Sequence, residues 1–246
     1  MSHPTGIQTI FGGAQFQREG RFADPSTLLK VYDALENANV RKIDTAHVYG
    51  ASEEILGQTG GSTRFDIDTK APGGLVPGSV TAQGVQGFAH RSRTLLGVEQ
   101  VDVYYLHSPD DAVPIEDTLA GINEVYKKGW FKRFGLSNFF AEDVQKIYDI
   151  CELEGYPLPT VYQGDYSAIA RKQEEELLPL LRNLGIVSSS SFLHRDQRTT
   201  QQHTNHIQPE LLRLLPPRRR LPHQIRLRHH RPQRPLRPLQ HVRRRL

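Results

Sequence analysis

The chain has 246 residues, and its first 185 are ordinary enough in composition for one large α/β domain. A single cysteine, Cys151, excludes an internal disulfide framework. The lack of any long apolar run or charged-then-apolar leader predicts a soluble, cytoplasmic protein with no membrane partner. The net charge of +4 averages two unlike pieces: residues 190–246 hold 14 Arg, no Lys and two acids, a balance of +12, which leaves −8 for residues 1–189.

In chain order, residues 6–16 read as a first strand ending at a Gly-Gly turn. Asp24 and Pro25 open a helix as cap and first helical residue, with Leu28, Leu29, Val31, Tyr32 and Leu35 as its apolar stripe. The stretch 43–50, Ile-Asp-Thr-Ala-His-Val-Tyr-Gly, is a short apolar strand delivering Asp44 at its end and Tyr49 in the following loop. Ser52 then reads as an N-cap, with Glu53 and Glu54 in a first helical turn. Residues 65–70 alternate as a strand ending in Lys70, before Pro72 and two glycines break it.

Residues 79–96 form a long helix with Val80, Val85, Phe88, Leu95 and Leu96 on one face, and 101–106 is an apolar strand running into His107. A helix over 115–128, a strand over 131–136 followed by Ser137 and Asn138, a helix over 141–154 and a strand over 159–163 ending in Gln163 complete the pattern. A helix over 173–184 stops at Gly185, and Ile186 and Val187 begin a seventh strand. Strand ends at 44, 70, 107, 137 and 163 step by 26 to 37 residues, the rhythm of strand–helix units in a parallel sheet. That rhythm leaves a closed barrel and an open doubly wound sheet both possible, although no Gly-x-Gly-x-x-Gly follows the first strand.

Past Val187 the composition changes. Residues 188–246 are rich in Arg, Pro and His, and they hold no aromatic beyond Phe192 and seven prolines. Such a segment cannot supply further strand–helix units, so it is expected to be a disordered low-complexity tail appended to a partial barrel at 1–187. The abruptness of the change is that of a shifted reading frame or retained intron in the gene. Its arginines offer an electrostatic, salt-sensitive route to nucleic acid, a partner disfavoured by the lack of stacking aromatics.

Taken singly, each polar strand-end residue has a plainer reading: Asp44 as a helix cap, Tyr49 as core, Lys70 as an exposed strand end, His107 as a loop histidine. Together they fall at the ends of three separate strands, with Tyr49 in the loop after one of them. The carboxyl-terminal rim of a (β/α)8 barrel is where such enzymes keep their chemistry. A phenol with a reference pKa of about 10 is a poor acid near neutrality. A buried Lys ammonium lowers that pKa, a carboxylate keeps the Lys charged, and a histidine can orient a carbonyl oxygen. Such a set suits protonation of a carbonyl oxygen while a hydride arrives from a cofactor. No metal-ligand set is expected.

The segments around Asp44 and Tyr49, Asp68-Thr-Lys70, residues 101–107 and Phe134-Gly-Leu-Ser-Asn138 together resemble the aldo-keto reductases. Residues 158–171, 106–110 and 174–181 resemble the aflatoxin-aldehyde reductase branch. The resemblance spans about residues 5–187 and implies a TIM barrel that reduces aldehydes or ketones with NADPH. By position it makes Tyr49 the general acid, Lys70 and Asp44 its tuning pair and His107 the carbonyl-orienting group. Ser137, Asn138 and Gln163 would hold the nicotinamide amide, with a helix cap as the plainer reading of Ser137 and Asn138. The family's next aromatic, stacked on the nicotinamide, is replaced here by Ser188 to Ser191, and its eighth strand and 2′-phosphate grip have no counterpart. The implied partner is a small carbonyl compound, a scaffold without turnover is the alternative, and the sequence sets no oligomeric state.

Overall fold

The computed structural model describes residues 7–167, 171–193 and 203–204. Contacts divide the chain into Met1–Leu215 and Pro216–Leu246, and every described residue belongs to the first unit.

Seven parallel strands lie side by side in chain order: β1 Ile10–Gly12, β2 Lys42–Asp44, β3 Asp66–Ala71, β4 Val101–Leu106, β5 Phe131–Ser137, β6 Pro159–Asp165 and β7 Val187–Leu193. Helices make every crossover: α1 Pro25–Asn37, α2 Ser52–Gln58 with α3 Gly61–Arg64, α4 Ala82–Leu96, α5 Ile115–Lys127, α6 Ala141–Glu154 and α7 Leu177–Asn183. A two-residue strand, β8 His203–Thr204, pairs antiparallel with the end of β7. Sequential parallel order with helical returns is the (β/α)8 pattern. Seven of its eight parallel strands are present among the described residues, as an incomplete TIM-type barrel.

Both faces of such a sheet are buried, and period-2 alternation assigns each side chain to one of them. Outward residues Ile43, Ile67, Tyr104, Leu106, Phe134, Leu136 and Tyr162 join the main core with the inner faces of the helices. Inward, Val103, Tyr105 and Val161 form a separate small cluster. The rest of the inner face is polar, and Asp44, Asp68, Lys70, Ser137 and Gln163 are all buried. Gly135 makes room for the inner cluster, since a Cβ there would stand 2.3 Å from the Tyr105 ring.

Local signals act as their chemistry dictates. Asp24 accepts from the amides of Ser26 and Thr27 at 3.2 Å each, capping α1 ahead of Pro25. α7 ends in a Schellman motif, with Gly185 left-handed at φ 68° and the Ile186 amide bonded back to Leu181 O at 2.8 Å.

Three expectations are corrected. Leu29 is not in the α1 stripe but 46% exposed. Ser52 is not a cap; α2 begins at Ser52 itself, whose hydroxyl donates to Gly13 O at 2.8 Å and meets Thr45 Oγ1 at 2.7 Å. α7 starts at Leu177 rather than 173, which puts Pro179 in the first turn, where its missing N–H costs no helical bond. Beyond β7 and β8, the expected tail over 188–246 lies outside the described residues.

Candidate active site

The site begins with how the Tyr49 loop is pinned. After β2 the chain stays on the ladder for two more bonds, Thr45 N to Asp68 O at 2.8 Å and His47 N to Lys70 O at 3.1 Å. A turn closes from Tyr49 N to Ala46 O at 3.0 Å. Gln17 then clamps the loop from β1's side, donating to Tyr49 O at 2.8 Å and accepting from Ala51 N at 3.2 Å. With Ser52 holding Gly13, the phenol is carried by a loop tied at both ends.

Lys70 is fully buried, so its ammonium must find partners inside the protein. It donates to Asp44 Oδ1 at 2.6 Å and to Thr45 O at 2.7 Å. Its Nζ lies 5.1 Å from the centre of the Tyr49 ring and 5.6 Å from that of Tyr105. Gln163 Nε2 donates to the same Asp44 Oδ1 at 3.2 Å, linking β6 to β2 across the interior. The imidazole of His107 stands edge-on to Tyr49, with ring centres 5.5 Å apart at 80°.

Asn138 is one of two non-glycine residues with positive φ among those described, at 63°, a conformation Asn tolerates. Its amide nitrogen donates to His107 O at 2.9 Å and to Ser137 Oγ at 3.0 Å. Asp44, Tyr49, His107, Ser137, Asn138 and Gln163 thus line one cleft, with Lys70 directly behind Asp44 and Tyr49. The plainer readings of Asp44, Lys70 and the Ser137–Asn138 pair therefore do not describe them. Asp44 caps no helix, Lys70 is not exposed, and α6 shows no side-chain cap bond.

The electrostatics differ from expectation in one respect. Burial raises the Tyr49 phenol above its ordinary range; Lys70, by charge and by hydrogen bond, pulls the other way without overcoming it, while Asp44 and Asp165 add to the rise. Burial also works against the Lys70 ammonium, yet Asp44 and Tyr49 outweigh it and hold Lys70 above its usual value. The phenol therefore keeps its proton at neutral pH, beside a fixed cation.

Three contributors escape the sequence reasoning. Asp165 lines the cleft two residues beyond Gln163 on the same face, because β6 runs to Asp165 instead of stopping at 163. Glu53, expected in a first helical turn and found there, is 2% exposed and accepts from Thr69 Oγ1 at 2.6 Å, a burial that the sequence does not signal. Gln17 carries no sequence signal for its clamp. Arg171 is exposed and bonded to Glu174 at 2.9 Å.

The family model described as "Aldo/keto reductase family" matches residues 9–210. The chain belongs to the aldo/keto reductase family. An oxidoreductase of Leptosphaeria maculans, sirO, is 41% identical over 194 residues, covering 75% of this chain and 59% of the relative. Human aldo-keto reductase family 7 member A3 is 40% identical over 185 residues, and human aflatoxin B1 aldehyde reductase member 4 is 38% identical over 185 residues. Each of these two alignments covers 72% of this chain and 55% of the relative. The chain thus spans between half and three fifths of the length of these aldo/keto reductases. A solved aldo/keto reductase from Klebsiella pneumoniae, in complex with NADP and acetate, shares the fold with a TM-score of 0.61 at 22% identity, over 73% of this chain and 62% of that one.

Proposed function

We propose that this chain carries the proton-donating half of an NADPH-dependent reductase of aldehydes and ketones. The observation that supports this best is the convergence of a phenol, a buried ammonium with its carboxylate, and an imidazole from three strand ends on one cleft. The hydrogen-bond inventory of the remaining wall fits a nicotinamide carboxamide, which presents one acceptor and two donor hydrogens. The amide nitrogens of Asn138 and Gln163 are engaged within the protein, which leaves their carbonyl oxygens to accept and the Ser137 hydroxyl to donate. A reduced nicotinamide, when bound, supplies the hydride that no side chain can.

The chain's own residues then do the rest. His107 donates to the substrate oxygen and orients the carbonyl for attack. Tyr49 gives its proton to that oxygen as negative charge develops there, so hydride and proton add across C=O to give an alcohol. Lys70 stabilises the tyrosinate left behind, and Asp44 with Thr45 O keeps the ammonium charged and in place. Residues 1–187, extended by the rest of β7 to Leu193, form the barrel part that bears this site.

The test is turnover by the full chain. Mixing it with NADPH and a simple aldehyde should consume nicotinamide absorbance, with Ser137→Ala weakening NADPH binding. A chain that binds NADPH with no turnover would instead be a scaffold, and the reductase reading would be wrong.

A further inference from the structure

β6 carries two polar side chains into the cleft, and the amide-binding wall uses only one of them. Gln163 belongs to that wall. Asp165, two residues on and on the same inward face, lines the same cleft as Tyr49, His107, Ser137 and Asn138. The other carboxylate of the cleft, Asp44, is matched by Lys70 Nζ at 2.6 Å, so that pair adds little net charge. The strands beside β6 bring uncharged residues to this level: Ser137 of β5 is register partner to Gln163, and Ser189 and Ser191 of β7 pair with Gln163 and Asp165. Asp165 therefore gives the exposed end of this wall a negative charge, and that charge is felt as far as the Tyr49 phenol, whose ionisation it opposes.

A fixed charge matters most beside a group whose own charge changes. A reduced nicotinamide ring is neutral and the oxidised ring is a cation, whereas the phosphates, riboses, adenine and carboxamide are the same in both forms. The two redox states of the nucleotide thus differ, in charge, by one positive unit on the ring. With the ring placed by the carboxamide contacts of the proposed function, on which this assignment rests, Asp165 stands two extended residues, on the order of 7 Å, from the residue that holds the carboxamide. A carboxylate there attracts one form of the ring and is indifferent to the other.

We propose that Asp165 sets the redox preference of the nicotinamide site, favouring the oxidised, cationic ring over the reduced, neutral one. The hydride and its electron pair go to the carbonyl carbon and the Tyr49 proton goes to the oxygen. The Asp165 carboxylate meets the positive charge left on the ring, both as it develops and in the product. The same attraction holds the oxidised nucleotide back relative to the reduced one. Asp165 is exposed, and Lys172 borders an outer groove that Asp165 also lines, so an effective dielectric of ~40–80 applies. At ~7 Å a unit charge then changes the ratio of the two dissociation constants about three- to eightfold.

The test needs no turnover. NADP⁺ and NADPH are titrated separately into the full chain and its variants by calorimetry, and the ratio of their dissociation constants is compared. Asp165→Asn should lower the preference for NADP⁺ over NADPH by that factor, Asp165→Glu should keep most of it, and high salt should narrow the difference between the native chain and Asp165→Asn. Ser137→Ala, which alters a contact to the carboxamide present in both forms, should weaken both nucleotides alike. Asp165→Ser provides the same reading if Asp165→Asn fails to fold. Nucleotides that both bind with an unchanged ratio in the Asp165 variants, or that weaken alike, overturn the assignment and leave the nicotinamide site standing. A ratio that falls as far in Asp165→Glu as in Asp165→Asn shows that shape and not charge decides, and overturns it as well. A native chain that binds neither nucleotide removes the site and the assignment together.

Discussion

Replacing Asp44 by asparagine probes the site without needing turnover. In the native protein the fully buried Lys70 ammonium has one hydrogen-bonded carboxylate, at 2.6 Å, and one carbonyl, at 2.7 Å. The substitution keeps the volume and one acceptor but removes the charge. Breaking a buried pair in this way costs about 3–5 kcal/mol, because the surviving ion is left uncompensated. The remaining acceptor and the nearby Asp68 place the expected loss at the lower end, roughly 3 kcal/mol out of a total of about 5–15 kcal/mol.

The pH dependence gives a second, independent signature. Lys70 in the native protein is held above its ordinary value of 10.5, so its contribution is complete below that pH and is lost only above it. In Asp44→Asn burial is no longer outweighed, and the folded value drops below the unfolded one. The unfolded chain then binds the extra proton, and stability rises as pH increases from about 7 to 9. Urea denaturation across that range should show a flat native profile and a rising variant profile. Adding Lys70→Met to the variant removes the orphaned charge and should restore most of the loss. A cost under about 1 kcal/mol, or a double variant weaker than the single one, would refute the view that charge complementarity holds this site.

Three further outcomes follow from the same geometry. Asp68, pushed to about 6 from 3.8, binds its proton more readily folded than unfolded, so its charge costs stability above pH 6 and that cost fades towards pH 4. Asp68→Asn should therefore be more stable at neutral pH by on the order of 3 kcal/mol, with the advantage vanishing near pH 4, as read by urea midpoints. Gly135→Ala places a Cβ 2.3 Å from the Tyr105 ring and should cost about 1–3 kcal/mol by overpacking, seen as a lower Tm. Cys151 is 1% exposed with its thiol pushed up to about 12 by burial, so a thiol reagent should label it only at the rate of unfolding.

Much of this is legible in the chain because the signals are local. Asp24 before Pro25 caps α1 through its own side chain, and Gly185 ends α7 because only a left-handed residue permits that exit. Asp44, Lys70, His107 and Gln163 stand out because a period of two residues and a short apolar run locate a strand's end. Long-range contacts are beyond that logic. Nothing near Gln17 announces that it will clamp a loop more than thirty residues away, and nothing around Glu53 announces that it will be buried with its carboxylate bonded to Thr69 of β3. The direction of the Tyr49 shift runs against the sequence expectation for a similar reason. Coulomb pairs can be listed from sequence, but the depth of burial that outweighs Lys70 belongs to the packed structure. Asp165 escapes notice through a difference of two residues in where β6 ends.

The most direct measurement compares the full chain with Tyr49→Phe in a single turnover, with NADPH saturating and an aldehyde added. Loss of one phenolic proton donor should slow hydride transfer by about 10²–10⁴-fold while NADPH affinity stays unchanged. Equal rates in the two proteins would show that the proton comes from elsewhere, and that the cleft around Tyr49 is not where the carbonyl is reduced.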